Sequence, residues 1–364
     1  MEKQKEQNNS DRGRKRIGVI FGGRSSEKEV SLAGGRHVYY HLDRTKFFPM
    51  AIYWDSEARF WQIPESLVIR NTCKEIEEHL KEKGAERILY DELKEKIDLA
   101  FLVTHGKYGD DGCLQGLLEI LGVPYTGSGV LSAALGMDKS IQREFMKSDP
   151  KINLPQYLVI NKDEWDKERE RTIKEIETKF NYPLVSKPTR EGSTIGVMLI
   201  RSRDDIEKGM RKALEYDNSI LLEKYIKGRE FSCIVFGNDQ PTAFLPTETI
   251  YGSDIFTYDH KYLPGASKKI TPIKIDQKII RDIQDQSVRT YRALNCRGYA
   301  RIDGFIEENG RVLITDPNSA ASTGMGPSSW TYHQAALAGL DIPHFLTKII
   351  EMAIEAHQNK KGAL

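Results

Sequence analysis

Three short apolar runs near the start constrain this chain more than any other feature: Arg16–Phe21 (RIGVIF), Phe48–Trp54 (FPMAIYW) and Leu99–Thr104 (LAFLVT). The stretches between them read as helical. Short apolar strands that alternate with helices build a parallel, doubly wound sheet, whose strands are covered on both faces and so are apolar throughout. A first α/β domain is expected over residues 15–127, after a polar tail at 1–14 that reads as disordered and carries no apolar signal segment.

The remainder divides into two further segments, 128–228 and 229–364. A single helix is expected over Val130–Ser148, ended by Asp149-Pro150. A strand near Gln156–Ile160, a charged helix over Asp163–Phe180 and a strand pair at Leu184–Lys187 and Gly196–Ile200 follow. Leu221–Tyr225 and Glu230–Phe236 are apolar runs parted by Lys227-Gly228. Residues 247–269 form a long polar connection, and a structureless loop beyond about 12–15 residues usually has a task. A helix over Asp276–Leu294 precedes a hairpin, Gly298–Glu307 and Val312–Asp316, turned by Glu308-Asn309-Gly310.

The 364 residues are enough for two or three domains. The formal net charge of +1 creates no field that favours nucleic acid or an anionic membrane. No run approaches the roughly 20 apolar residues needed to span a bilayer. The four cysteines, Cys73, Cys113, Cys233 and Cys296, contain no CxxC pair, which speaks against a disulfide framework or zinc site and for a reducing, cytoplasmic setting.

Four places carry chemistry. Gly22-Gly23-Arg24-Ser25-Ser26-Glu27 follows a strand and opens a helix, where N–H groups suit an anion; a plain helix cap would read the same way, and GxGxxG is absent. Thr104–Gly112 (THGKYGDDG) follows another strand, so it and the Gly22 loop belong on one rim of the sheet. Ser186–Gly196 (SKPTREGSTIG) sets a lysine before a glycine- and hydroxyl-rich loop suited to polyphosphate, although it is not a Walker A loop. Finally, period-two spacing puts Arg301, Asp303, Asp316 and Asn318 on one face of the hairpin. Two carboxylates and an amide oxygen make a hard-oxygen site for Mg²⁺ held jointly with phosphate, the plainer reading being a polar face with one ion pair.

The order FGGRSSEKEVSL, THGKYGDDG, PYTGSG, MDK, SKPTREGSTIGV, EKYIKGREF, YDHKY, ARID, DPN and GMGPSS resembles the D-alanine–D-alanine ligase family of the ATP-grasp superfamily across nearly the whole chain after the tail. The resemblance implies an ATP-grasp fold: an N-terminal Rossmann-like domain, a small central α+β domain and a C-terminal α+β domain with a lid at 247–269. It implies ATP on Lys139 and Lys187, adenine read by Glu223 and the backbone at Ile226, and ribose held by Glu230. Asp303, Asp316 and Asn318 would bind two Mg²⁺ ions, with Mn²⁺ as an alternative, and Arg301 would neutralise the transferred phosphate. Glu27 would pair with the first amino acid's ammonium, with His105 nearby. Ser193 and Tyr262 would latch onto Glu27, and Lys261, Gly324 and Ser329 would serve the second amino acid. A homodimer and a role in peptidoglycan precursor synthesis are implied too.

The chain departs from the family pattern at three points. Asp316-Pro317-Asn318 stands for Glu-x-Asn, Asn318–Gly324 is about two residues longer and is expected to border the second-substrate pocket, and Asp110 replaces the more frequent Glu. An altered acceptor (D-serine, D-lactate or an L-amino acid), a non-enzymatic nucleotide sensor and a ligase for a larger substrate are the competing readings. The complete set of lysines, arginine and metal ligands argues against the sensor. The Glu27 and His105 motifs argue against the larger substrate.

Overall fold

A computed structural model describes residues 13–82, 84–192, 194–253, 266–320 and 322–361. Ser193, Lys261 and Tyr262, with the interior of the expected lid, lie outside the described residues.

The N-terminal sheet has β1 (Lys15–Gly22), β2 (Phe47–Trp54), β3 (Phe60–Gln62), β4 (Glu86–Ile88) and β5 (Leu99–Leu102) in the order β4-β3-β2-β1-β5. β2, β1 and β5 are parallel, with Ile17 opposite Pro49 and Leu99. They bear out the three-strand reading. β3 and β4 pair antiparallel and extend one edge, which the sequence did not announce because each has only three residues.

The central sheet contains β6 (Tyr157–Asn161), β7 (Leu184–Pro188), β8 (Met198–Ile200) and β9 (Ser219–Lys224), ordered β6-β9-β7-β8 with every pair antiparallel. The C-terminal sheet contains β10 (Gly228–Phe236), β11 (Thr242–Ala243), β12 (Thr247–Tyr251), β13 (Ser267–Ile270), β14 (Tyr299–Glu307) and β15 (Val312–Asn318). Its path is β13-β12-β10-β14-β15, with β11 beside β10. The helix Gln277–Ala293, capped by the Asp276 side chain, covers it through Ile280, Ile283 and Tyr291.

Two expectations need correction. Residues 130–148 form two helices, Val130–Met137 and Lys139–Met146. Asp138 leaves the helical region and its carboxylate accepts from Ser140 and Ile141 N–H, so it caps the second helix and ends the first. The 247–269 connection is not a loop at its ends: β12 and β13 pair antiparallel, with Glu248 opposite Ile270.

The chain's last helices return to its first sheet. Tyr332, Phe345, Leu346 and Ile349 share one apolar core with Val19, Phe21, Leu32 and Val38. Among the described residues no helix is long and apolar enough to cross a membrane.

Candidate active site

The Gly22 loop is a scaffold before it is a cradle. Gly22 and Gly23 have φ of +96° and +103°, and a Cβ at Gly22 would lie 2.5 Å from the Trp54 carbonyl oxygen. Gly22 N–H donates to Ser31 Oγ at 2.8 Å and Gly23 N–H to Trp54 O at 2.7 Å, so these two donors are committed. The rigid turn instead delivers Glu27 to the start of the helix Lys28–His41. Ser25 Oγ donates to His105 O at 2.6 Å and accepts from Glu27 N–H, which clasps the two rim loops together as their strand-end positions required.

Glu27 is the meeting point. A Cβ on Gly106 would sit 2.9 Å from Glu27 Oε2, and one on Gly192 3.0 Å from the same atom. Its carboxylate therefore touches both the His105 loop and, at Gly192, the SKPTREGSTIG loop. His105 is buried and its Nε2 has no hydrogen-bond partner. Burial holds its pKa down at about 4; Glu27 works against that shift and Arg301 adds to it. The ring is a neutral imidazole at neutral pH, and it feels both Glu27 and Arg301.

The SKPTREGSTIG loop is anchored at its base by Asp217, which accepts from Thr189 Oγ1 at 2.7 Å and Arg190 N at 2.9 Å. Lys139, the first residue of the capped helix, donates from Nζ to Glu191 O at 2.6 Å. Lys187 on β7 pairs with Glu223 Oε2 on β9 at 2.7 Å. Arg143, four residues beyond Lys139, reaches the other Glu223 oxygen through Nε at 3.0 Å and through Nη2. Burial pushes the Glu223 carboxyl up, but Arg143 and Lys187 outweigh it and hold the group below its usual range. Arg143 was not foreseen from the sequence. Its partners lie far along the chain, and the one available signal, Asp138 as a cap that turns a new helix inward, was read as continuous helix. Glu230 and Ile226 lie next along this edge, where Glu230 on β10 stands opposite Thr249 and hydrogen-bonds the Tyr251 hydroxyl.

On the hairpin the expected register holds. Asp303 pairs with Asp316 and Arg301 with Asn318. Asp303 accepts from Ser232 Oγ at 2.6 Å, from Arg301 Nε at 3.0 Å and from Asn318 Nδ2 at 2.9 Å. A bulge follows Asp303, so that Gly304 faces Ile314 and Thr315 is the extra residue; its carbonyl accepts Arg143 Nη2 at 2.5 Å. Arg143 thus joins the lysine-bearing helix, the Glu223 strand and β15.

The donor chemistry of Asp303, Asp316 and Asn318 fits a divalent cation. All can offer hard oxygens from one face, and a cation there would take the place of the bonds that Asp303 now accepts from Arg301 and Asn318. Among the described residues no three His, Cys, Asp or Glu side chains cluster, so Asn318 and ligand oxygens would complete the coordination.

The described residues of the Asn318–Gly324 segment contact the N-terminal domain and the helix Val130–Met137. Ala320 abuts Gly127, Ser319 faces Gly136, and Ser322 Oγ donates to Asp110 Oδ2 at 2.9 Å. Gly324 ends the segment at the turn before the next helix. There Ser329 Oγ donates to Gly324 O at 2.5 Å and caps the helix Trp330–Leu337. Burial pushes the Asp110 carboxyl well above its usual range; the Gly106 N–H opposes this and the Glu27 charge adds to it.

Residues 16–128 match the family described as D-ala D-ala ligase N-terminus, and residues 146–351 match D-ala D-ala ligase C-terminus. The chain belongs to the D-alanine–D-alanine ligase family. A D-alanine–D-alanine ligase of Natranaerobius thermophilus is 33% identical over 95% of this chain and 96% of its own length. One from Halothermothrix orenii is 33% identical over 93% and 98%. Among solved structures, a ligase of that name from Coxiella burnetii superposes with a TM-score of 0.80 at 25% identity, covering 96% and 97% of the two chains. A D-Ala:D-Ser ligase from Enterococcus faecalis gives 0.82 at 29%, covering 93% and 99%. These neighbours carry the ATP-grasp fold, and this ligase family uses ATP and a divalent metal.

Proposed function

We propose that this chain joins two molecules of D-alanine into D-alanyl-D-alanine at the expense of ATP, with two Mg²⁺ ions (or Mn²⁺), as a cytoplasmic homodimer supplying peptidoglycan precursors. The observation that carries the reading is the Glu27 carboxylate, which lies against Gly106 of the His105 loop and Gly192 of the SKPTREGSTIG loop. The Arg301 charge also reaches the buried His105 imidazole, so an ammonium-binding carboxylate and a phosphoryl-binding guanidinium act on the same ring.

Glu27 holds the first amino acid's ammonium, and neutral His105 packs beside it. The first amino acid's own carboxylate oxygen attacks the γ-phosphorus, the bond to ADP breaks, and the amino acid's acyl phosphate forms. Lys139 and Lys187 bind the ATP phosphates, Glu223 and the backbone at Ile226 hold adenine, Glu230 holds ribose, and Arg301 offsets the charge that builds on the transferred group. The metal ions, held by Asp303, Asp316 and Asn318, supply charge neutralisation and in-line alignment when bound. The second amine, oriented with its carboxylate at Gly324 and Ser329 and with Lys261, attacks the acyl carbon; phosphate leaves and the amine sheds a proton. Holding both reactants can contribute roughly 7–11 kcal/mol of the barrier. Ser193 and Tyr262 would latch onto Glu27 and so keep water from the acyl phosphate.

The test is ADP release and product mass with MgATP and D-alanine, D-serine, D-lactate, L-alanine and glycine, singly and in pairs. D-Alanine alone gives ADP and D-alanyl-D-alanine on this reading. Turnover that requires a mixed pair overturns the acceptor assignment, and silence across the panel overturns the activity.

A further inference from the structure

One cation beside the site has no role in this scheme. Lys269 lies on β13 opposite Thr249, and its ammonium stands 4.6 Å from the centroid of the Trp330 ring. The Arg301 guanidinium lies over the same ring at 5.4 Å. Lys269 Nζ donates to the Ser328 carbonyl at 3.2 Å. It is about half buried, and burial, then the Arg301 charge, lower its pKa. Among the described residues it makes no ion pair with a carboxylate. A lysine has three donors, and partly buried charges are ordinarily paired. One carbonyl and one ring leave this ammonium with capacity for an anion. The Trp330 Nε1–H is likewise shut from solvent without an acceptor. Both groups adjoin Ser329, whose hydroxyl closes the Gly324 turn and caps the following helix.

We propose that Lys269 anchors the carboxylate of the acceptor amino acid, with Trp330 as the plate that fixes its distance from Arg301. The inference rests on the ligase reading and deepens it: the acceptor is selected for a free carboxylate next to its amine. Two anionic groups could meet this ammonium, the acceptor carboxylate and the transferred phosphate. Arg301 is held with Asp303 at the phosphoryl end, whereas Lys269 is bonded one residue before Ser329, which favours the carboxylate.

The experiment is steady-state kinetics of Lys269→Gln and Lys269→Arg with MgATP, using D-alanine and D-alaninamide as competing acceptors. Lys269→Gln raises the acceptor KM roughly tenfold or more, leaves the ATP KM within about twofold, and flattens the preference for D-alanine over its amide; Lys269→Arg recovers most of the loss. A rise in the ATP KM equal to that of the acceptor would assign the lysine to phosphate and overturn the proposal. An unchanged acceptor KM would reduce Lys269 to a packing residue. If the unaltered chain instead takes another acceptor, the ligase reading changes while the same ratio is read on that acceptor, so the two failures are told apart.

Discussion

Two charged clusters meet along β15, where Arg143 reaches the Thr315 carbonyl beside Asp316, and are built in opposite ways. Arg301, Asp303, Asp316 and Asn318 come from one hairpin, and the side chains of Arg301 and Asp303 keep 14% of their surface exposed. Arg143, Glu223, Lys187 and the Thr315 carbonyl come from four separate elements, and the Arg143 and Glu223 side chains are 0% and 3% exposed. The first cluster can trade its protein partners for ligands because water and substrate reach it. In the second, Arg143 is sealed off and works only on its protein partners, fixing the spacing between helix, central sheet and C-terminal sheet, while Lys187, 17% exposed, keeps a way out to solvent. Chemistry and architecture use the same residue types, and solvent access decides which role a charge takes.

The sharpest way to break this contrast is Asp303→Asn. Turnover falls by roughly a thousandfold, while urea denaturation shows a fold close to the original; full activity would remove the hairpin from the chemistry. Next comes Arg143→Met, which leaves a buried carboxylate with one cation. It costs roughly 3–5 kcal/mol of stability by urea titration, and Arg143→Lys costs less. If Arg143→Met is silent in stability and only slows turnover, the architectural role is wrong.

A third effect separates the buried rim from both clusters. The folded His105 pKa of about 4 lies below the ordinary 6.5. The unfolded chain therefore takes up this proton first. The stability that neutral His105 contributes is full above pH 6.5 and is lost as pH falls towards 4, up to about 3 kcal/mol. Denaturation curves of the chain and of His105→Asn across that window check the sign: the variant's acid slope is shallower. The smallest effect is Ser322→Ala, about 1 kcal/mol for one hydrogen bond to Asp110, seen as a shift in the urea midpoint.

The hairpin cluster was legible because strand periodicity is local: alternate residues must share a face once a short turn joins two strands. The β1, β2 and β5 runs were legible for the same reason. Arg143 was not, since its pairing with Glu223 spans 80 positions and depends on the helix break at Asp138. A capping aspartate inside an otherwise helical stretch is a weak signal against eighteen residues that suit a helix. The path of the Asn318–Gly324 segment was not legible either, because it depends on the close approach of Ala320 to Gly127 and on the bond from Ser322 to Asp110, which no local pattern encodes.

The bond between Ser322 and Asp110 ties the C-terminal segment to the loop that carries His105. Asp110 also accepts from the Gly106 N–H, so one buried carboxyl holds both strands of the join. A change at either end is felt at the other, 212 positions away along the chain.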